Sequence, residues 1–222
     1  MLVKNWMAKD VITVDEDLSI MEVGQLMREH GIRRVPVLSK GELKGIVSDR
    51  DIKAASPSKA TTLDVHELYY LLSKLKVKDV MTKNPITIFP DDTVEKAAVI
   101  MLGKKISGLP VVDKNGELMG MLSQGDVFRV LTTITGVYQG GVQFAFELDD
   151  RPGSIKEAAD VIRASGGSLT SILTSYQTAQ AGKRNVFIRA QGLSEDKIPA
   201  LLEELKSKFK YLYHTQDELK DL

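Results

Sequence analysis

Residues 45–51 (GIVSDRD) return as residues 120–126 (GMLSQGD), and this repeated segment decides the predicted fold. In each copy a short apolar stretch leads into a serine, and an aspartate follows three residues later. These residues are Ser48 and Asp51 in the first copy, and Ser123 and Asp126 in the second. Ser-x-x-Asp is a capping-box spacing, so each copy predicts a strand that ends where a helix begins. Such a turn attracts anions through its backbone N–H groups, and the nearby carboxylate suits a ribose diol, so the pair indicates a nucleotide site.

The segment belongs to a longer internal repeat in the first two-thirds of the chain. Residues 3–7 (VKNWM) return as residues 77–81 (VKDVM), and the Pro-Val pair at 36–37 returns at 110–111. The order strand, helix, strand, strand, helix is predicted for each copy. One such unit is too small to cover its own sheet. We therefore expect two copies packed about a pseudo-two-fold axis, with two symmetric clefts between them.

The composition limits the classes of protein to which the chain can belong. Its 222 residues have a formal net charge of zero, which argues against a dedicated nucleic-acid binder. There is no cysteine, so thiolate metal sites and cysteine nucleophiles are excluded. His30 and His66 have no second ligand nearby at metal spacing, so no metal site is predicted. No run of eighteen apolar residues occurs, so we expect no membrane span and a cytoplasmic protein.

The repeat resembles the tandem CBS domain, or Bateman module, over roughly residues 3–134. Two Gly-h-h-Ser-x-x-Asp motifs, two x-Pro-Val strands and two threonine-containing first strands carry the resemblance. It implies clefts that bind AMP, ADP, ATP or another adenosine compound as a regulatory ligand, with no required cofactor. The aspartates would hold ribose hydroxyls, the serines would meet phosphate, and the remaining residues would border the base or the phosphates. The predicted nucleotide-binding residues are Ile12, Thr13, Arg33, Arg34, Val35, Pro36, Ser48, Arg50, Asp51, Ile86, Thr87, Ser107, Gly108, Leu109, Pro110, Ser123 and Asp126.

The two predicted clefts differ in charge. Arg33, Arg34 and Arg50 belong to the first side, whereas the second side has Lys104 and Lys105. These cations either neutralise phosphate or form a solvated surface, and the sequence leaves both interpretations open. Because the pair Gln124-Gly125 replaces Asp49-Arg50, the two clefts are not equivalent.

The last third of the chain has a different pattern, in the order strand-helix-strand-strand-helix-strand. This order predicts a ferredoxin-like domain, in which Ser194 caps the second helix. The segments 150–155 (DRPGSI) and 166–169 (GGSL) resemble those of an ACT domain. The resemblance implies an effector site formed by Asp150, Gly153 and Ser168. The alternative is a domain that mainly pairs through its sheet edge or helices.

The predicted organisation is an α/β (α+β) protein with a tandem CBS module at 1–136 and an ACT domain with a short polar tail at 137–222. The module comprises repeat one (3–53), a connector (54–76) with a leucine-rich helix, and repeat two (77–134). This architecture resembles the acetoin-utilization protein B family.

The resemblance implies a regulatory sensor that controls acetoin or acetate metabolism, and not an enzyme. We expect an adenosine nucleotide as ligand, a homodimer, an unidentified target enzyme, and neither nucleic acid nor membrane as a partner. One alternative is a ligand-free scaffold for a partner enzyme. Another is an enzyme with catalytic carboxylates at Asp49 and Asp51 or at Asp149 and Asp150, although adjacent acids in turns usually cap helices.

Overall fold

The computed structural model describes residues 1–55, 64, 70 and 72–216. Most of the predicted connector helix and the polar tail lie outside these described residues. The chain divides into two compact units, Met1–Phe128 and Arg129–Leu222. Both units mix helices and strands, which confirms the predicted α/β class. No helix of the described part of the chain is both long and apolar enough to cross a membrane.

Repeat one has the predicted order of elements. They are β1 (Val14–Asp15), α1 (Ile20–Glu29), β2 (Arg34–Ser39), β3 (Glu42–Ser48) and α2 (Asp49–Ala55). Helix α1 begins at a complete capping box, since the Ser19 side chain accepts from the Glu22 N–H and the Ser19 N–H donates to the Glu22 carboxylate. The chain leaves this helix through Gly31, whose φ of 62° favours glycine.

Repeat two follows the same plan, but its predicted first strand is shorter than β1. It contains α3 (Val77–Val80), β4 (Thr82–Lys83), α4 (Val94–Lys104), β5 (Gly108–Val112), β6 (Leu118–Ser123) and α5 (Gln124–Thr135). The first strand predicted around residues 86–88 is reduced to one parallel bridge, Ile88 to Val111. In repeat one, strand β1 likewise begins only at Val14. Ile12, Thr13, Ile86 and Thr87 therefore lie just before the paired residues.

The leading segment of each repeat packs on the other repeat. The Val3 N–H donates to the Asp92 carbonyl at 2.9 Å, and the equivalent Val77 N–H donates to the Leu18 carbonyl at 2.9 Å. Strand β4 pairs with β3, so a strand of repeat two completes the sheet β1-β2-β3-β4. Val77 is also fully buried in the core of repeat one. The exchange makes the two repeats depend on each other for folding.

Glycine permits the exchange at two equivalent positions. A Cβ atom at Gly120 would lie 2.7 Å from the Ala8 carbonyl oxygen and 2.7 Å from the Met7 sulfur. A Cβ atom at Gly45 would meet the Met81 sulfur and would lie 3.0 Å from the Thr82 carbonyl oxygen. Only a residue without a side chain allows such a close approach of the exchanged segment.

The second unit has the predicted order β7 (Val142–Asp149), α6 (Ser154–Ala164), β8 (Ser168–Ser175), β9 (Lys183–Gln191), α7 (Ile198–Lys208) and β10 (Lys210–Gln216). The sheet order is β10-β7-β9-β8, and all three pairings are antiparallel. This is the ferredoxin-like arrangement, so that prediction is confirmed. Alternate residues of β7, from Val142 to Leu148, are buried in the core of the unit, together with residues of β9 and both helices.

One predicted helix start in this unit is wrong. Helix α7 begins at Ile198 with Lys197 as its N-cap, three residues after Ser194, the predicted N-cap. The Ser194 carbonyl instead accepts the Lys197 N–H at 3.0 Å and forms a turn before the helix. Pro199 in the first helical turn favours the later start, because its fixed φ suits that position and it needs no N–H partner.

Candidate functional site

Both predicted Ser-x-x-Asp pairs form the same hydrogen bonds. The Ser48 N–H and hydroxyl donate to Asp51 Oδ2 at 2.8 and 2.7 Å, and the Asp51 N–H donates back to Ser48 Oγ at 3.4 Å. The Ser123 and Asp126 pair has the distances 2.8, 2.7 and 3.3 Å. Each serine hydroxyl has a single proton to donate, so it can donate to a phosphate only after it turns away from the aspartate carboxylate. The capping-box prediction is confirmed in both copies.

The start of each x-Pro strand lies beside one of these boxes. In repeat one, Arg34 pairs with Ser48 across β2 and β3. In repeat two, Gly108 pairs with Ser123 across β5 and β6. The first N–H of each helix donates to the strand start, Asp49 to the Arg33 carbonyl at 3.0 Å and Gln124 to the Ser107 carbonyl at 3.1 Å. The structure therefore repeats one backbone arrangement at two equivalent places.

The Arg34 side chain links repeat one to repeat two at these equivalent strand starts. Its guanidinium donates to both the carbonyl and the hydroxyl oxygen of Ser107 in the other repeat. A Cβ atom at Gly108 would lie 2.7 Å from Arg34 Nη1, so glycine leaves the space that the guanidinium fills. Burial lowers the pKa of Arg34 below its ordinary value, while the nearby Asp49 carboxylate acts in the opposite direction. Arg34 and Ser48, predicted on the phosphate side, thus meet Ser107 and Gly108, predicted beside the base, at a seam between the repeats.

The predicted base-side residues differ in accessibility. Val35 and Leu109 have fully buried side chains, so only their backbone can border a ligand. Pro36 and Pro110 are also buried. Ile12 packs against the core of repeat one, whereas Ile86 is 40% exposed. The second repeat therefore offers an exposed apolar side chain to a base, whereas the equivalent side chain of the first repeat is packed against the core.

Other regions of the first unit contain two hollows, of about 510 and 440 Å³. The larger is lined by Lys4, Asn5, Met7, Lys9, Pro90 and Met119, and the smaller by Ser19, Met21, Glu22, Gln25, Arg28 and Ser73. No residue of the predicted nucleotide set lines either of them. Within the described residues, no group of three or more histidines and carboxylates could hold a metal ion.

The three predicted effector residues of the second unit do not come together within one chain. Asp150 and Gly153 follow the end of β7, where Asp149 pairs with Lys183. Ser168 begins β8 and pairs with Gln191, at the other end of β9. Eight residues of strand separate these ends, which is roughly 27 Å at the usual rise per residue. A site that uses all three residues would need more than one chain.

No sequence pattern predicted the positively charged arginine side chain that lies beside Asp150. Arg184 Nε lies 3.6 Å from the Asp150 carboxylate, and Arg184 Nη2 donates to Ser154 Oγ at 3.1 Å. The Tyr176 hydroxyl also donates to Asp150, at 3.4 Å. Arg184 is 34 residues from Asp150 in the chain, and no local motif relates the two. This pairing reduces the negative charge that Asp150 would present to an effector carboxylate.

Comparison with known proteins is consistent with this geometry. The family model of the CBS domain matches residues 3–58 and 77–133. The chain is 34% identical over 134 residues to a CBS domain-containing protein of Dictyostelium discoideum, covering 60% of this chain and 92% of the relative. It is 41% identical over 125 residues to an inosine-5'-monophosphate dehydrogenase of Korarchaeum cryptofilum. That match covers 56% of this chain and only 23% of the dehydrogenase, so it leaves most of the enzyme unmatched.

Solved structures that resemble the chain include those of CBSX2, MJ0100 and a Vibrio cholerae protein. CBSX2 in complex with AMP is 33% identical, with a TM-score of 0.50, over 60% of this chain and 98% of that one. The CBS domain pair of MJ0100, in complex with 5'-methylthioadenosine and S-adenosyl-L-methionine, is 30% identical, with a TM-score of 0.50, over 59% and 95%. A putative acetoin utilization protein from Vibrio cholerae is 25% identical, with a TM-score of 0.52, over 63% and 96%. The first two neighbours bind adenosine compounds.

Proposed function

Because the chain belongs to the CBS domain family, we propose that it is a regulatory protein whose two repeats bind an adenosine compound at their seam. The observation that carries the proposal is the pair of matching serine–aspartate boxes, each beside the start of an x-Pro strand. Ligands in the CBSX2 and MJ0100 structures support the class of compound. The match to an enzyme-named relative covers only 23% of that enzyme, and this supports a regulatory role for the matched CBS region.

The aspartates hold the ribose in this proposal. Asp51 uses Oδ2 for its box, and its Oδ1 accepts no hydrogen bond from the described residues, so that oxygen suits a ribose hydroxyl. Asp126 forms the same box in repeat two, and we assign it the same role. When a ligand enters, the Ser48 and Ser123 hydroxyls turn from the carboxylates toward phosphate. The serine N–H bond to Asp51 or Asp126 keeps the helix start in place during this change.

Residues that precede the paired strands complete the proposed sites. Thr13 and Thr87 come just before Val14 and Ile88, which pair with the x-Pro strands. The backbone at the start of each x-Pro strand offers N–H and C=O groups to the edge of a base. Ile86, with its exposed side chain, provides an apolar contact in repeat two. We expect the two sites to bind with different affinity because their surroundings differ.

Thermal unfolding with added ligand tests the proposal. AMP, ADP, ATP, 5'-methylthioadenosine and S-adenosylmethionine are compared with guanosine monophosphate at one concentration. A ligand that binds only the folded state stabilises it by about 2.7 kcal/mol at a hundred times its dissociation constant. We expect a rise in melting temperature with at least one adenosine compound. Asp51→Asn and Asp126→Asn, which retain size but remove charge, should each reduce this rise.

A ligand-free scaffold is the second candidate function, because Arg34 already fills the seam at Ser107 and Gly108. Both serine hydroxyls also already donate to their aspartates. A scaffold should show no ligand-dependent change in melting temperature, although the protein should still associate with its partner enzyme. The same unfolding series therefore separates the two functions.

We extend the proposal to the second unit as an ACT-type domain over 137–222 that pairs with a second copy of the chain. The separation of Asp150 from Ser168 in one chain supports an effector site that only a dimer can complete. Sedimentation equilibrium should show a dimer, and Ile172→Lys on the exposed edge strand β8 should weaken it. A monomer at all concentrations would oppose this part of the proposal.

The proposed pathway is acetoin or acetate metabolism, which the similarity to the Vibrio cholerae protein supports. A strain that lacks this chain should grow poorly on acetoin and normally on glucose. Complementation with the Asp51→Asn and Asp126→Asn double variant should fail to restore growth on acetoin if ligand binding regulates the pathway. Normal growth of the deletion strain on acetoin would oppose the link and leave the binding proposal intact.

A further inference from the structure

Three arginines gather on the repeat-one side of the seam. Arg33 and Arg34 lie at the start of β2, and Arg50 lies in the first turn of α2. The hydrogen bond from the Asp49 N–H to the Arg33 carbonyl holds these two elements together at 3.0 Å. Burial lowers the pKa of Arg34, the Asp49 carboxylate raises it, and the nearby charges of Arg33 and Arg50 lower it further.

The negative charge beside the cluster comes from Asp49 and Asp51 in the first turn of α2, and both carboxylates already accept hydrogen bonds. Asp49 is the acid that acts on Arg34, and its carboxylate already accepts a hydrogen bond from Lys53 at 3.1 Å. The side chains of Arg33 and Arg50 are exposed and form no ion pair or hydrogen bond with the residues that the structure describes. Two guanidinium groups are therefore available to an anion, and Arg34 supplies a third beside Ser107.

The equivalent positions in repeat two carry no charge. The repeat offset places Ser107 at the position of Arg33, Gly108 at that of Arg34 and Gly125 at that of Arg50. Gln124 replaces Asp49. At these three positions the positive charge is therefore found only in repeat one, whereas the cations of repeat two, Lys104 and Lys105, lie at the end of α4.

We infer that the repeat-one side of the seam selects adenosine compounds that carry two or more phosphate groups. This inference rests on the proposed function and adds the charge class of its ligand. Guanidinium groups bind phosphate through short, charge-assisted and often bidentate hydrogen bonds. 5'-Methylthioadenosine has no negative charge to offer them, and the sulfonium and ammonium groups of S-adenosylmethionine are repelled. A longer phosphate chain can reach more of the three arginines.

Titration calorimetry with adenosine, AMP, ADP, ATP and 5'-methylthioadenosine tests the inference. The experiments use the full chain without Mg²⁺, so that no metal ion masks the phosphate charge. We expect affinity to rise along the series from adenosine to ATP, with ATP about tenfold or more above adenosine. The advantage of ATP should shrink as salt is raised, because salt screens exposed charges.

Arg33→Gln and Arg50→Gln assign the effect to the cluster. Each removes a charge without breaking a described contact, and each should weaken ATP binding about tenfold while adenosine binding stays the same. Arg28→Gln is the matched control, since Arg28 is an exposed arginine of α1 that does not act on Arg34. Ligand-free melting curves verify that every variant is folded.

The outcomes separate this inference from the function on which it rests. Equal affinities for adenosine, 5'-methylthioadenosine and ATP would overturn the inference and leave the proposed function standing. A loss of ATP affinity in Arg28→Gln equal to that in Arg50→Gln would also overturn it, because the effect would then be general. If no adenosine compound binds at millimolar concentration, both the inference and the proposed function fail.

Discussion

Repeats one and two of the first unit have nearly the same backbone arrangement at the seam but very different side chains around it. Each places a serine–aspartate box beside the start of an x-Pro strand, with matching hydrogen-bond lengths. Repeat one surrounds its box with Arg33, Arg34 and Arg50, whereas repeat two has small neutral residues at those positions. The two repeats therefore share the hydrogen-bonded box but differ in the charge beside it, and in our proposal that charge determines which ligand binds.

The two exchanged segments provide the prediction with the largest effect. Gly120→Ala brings a Cβ against the backbone carbonyl of Ala8, whereas Gly45→Ala meets mainly the flexible side chain of Met81. We expect Gly120→Ala to lower the free energy of unfolding by about 2–3 kcal/mol and Gly45→Ala by about 1 kcal/mol. Urea denaturation of both variants measures the difference. Equal losses of unfolding free energy would contradict this difference and show that both exchanged segments tolerate an added Cβ atom equally well.

The Arg34–Ser107 link has no counterpart in repeat two, where Gly108 takes the position of Arg34. Arg34→Ala removes the hydrogen bonds to Ser107 and leaves a gap beside Gly108, so it should lower the free energy of unfolding by about 1–2 kcal/mol. The matched control is Arg33→Ala, whose exposed side chain makes no described contact and which should cost little. Urea denaturation again gives the values. Similar losses for the two variants would contradict a structural role for the link.

The two capping boxes should be equivalent in stability even though their surroundings differ. Asp51→Ala and Asp126→Ala each remove the acceptor of a serine N–H and hydroxyl, and each should cost about 1 kcal/mol. Thermal unfolding without ligand compares them. A difference of more than twofold between the two losses would show that the surroundings, and not the box alone, determine helix-start stability.

The smallest effect concerns pH and is confined to repeat one. The hydrogen bond from Lys53 lowers the pKa of Asp49 below 3.8, and the attraction of Lys53 and Arg33 adds to it. The pKa of Asp49 is lower in the folded protein than in the unfolded chain. Its contribution to stability is therefore fully present above the unfolded-state pKa and is lost as pH falls through the folded-state pKa. Asp49→Asn should therefore slightly reduce the acid dependence of stability below pH 4. Gln124, at the equivalent position, does not titrate, so Gln124→Ala should leave the acid dependence unchanged.

Local patterns explain what could be predicted from the sequence. The Ser48 and Ser123 boxes involve residues three apart, so their spacing alone determines the hydrogen bonds that the structure shows. The ferredoxin-like order also follows from alternation and helical periodicity within single elements. The wrong start of α7 at Ser194 arose because a turn and a cap use the same residue types.

Contacts between distant parts of the chain could not be predicted in the same way. Arg34 and Ser107 are 73 residues apart, and nothing in either local pattern relates a guanidinium to that carbonyl. The exchange of the leading segments is likewise invisible in a repeat, because a swapped and an unswapped pair have the same sequence. The distance between Asp150 and Ser168 depends on the register of β8 and β9, which the sequence pattern does not fix.

Titration calorimetry of AMP against the wild-type chain and the Asp51→Asn, Asp126→Asn double variant tests the central claim most directly. We expect the wild type to bind AMP saturably. We expect the double variant to unfold cooperatively but to bind AMP at least tenfold more weakly, a loss of about 1.4 kcal/mol. Unchanged affinity in the folded double variant, or no heat from the wild type at millimolar AMP, would contradict that claim.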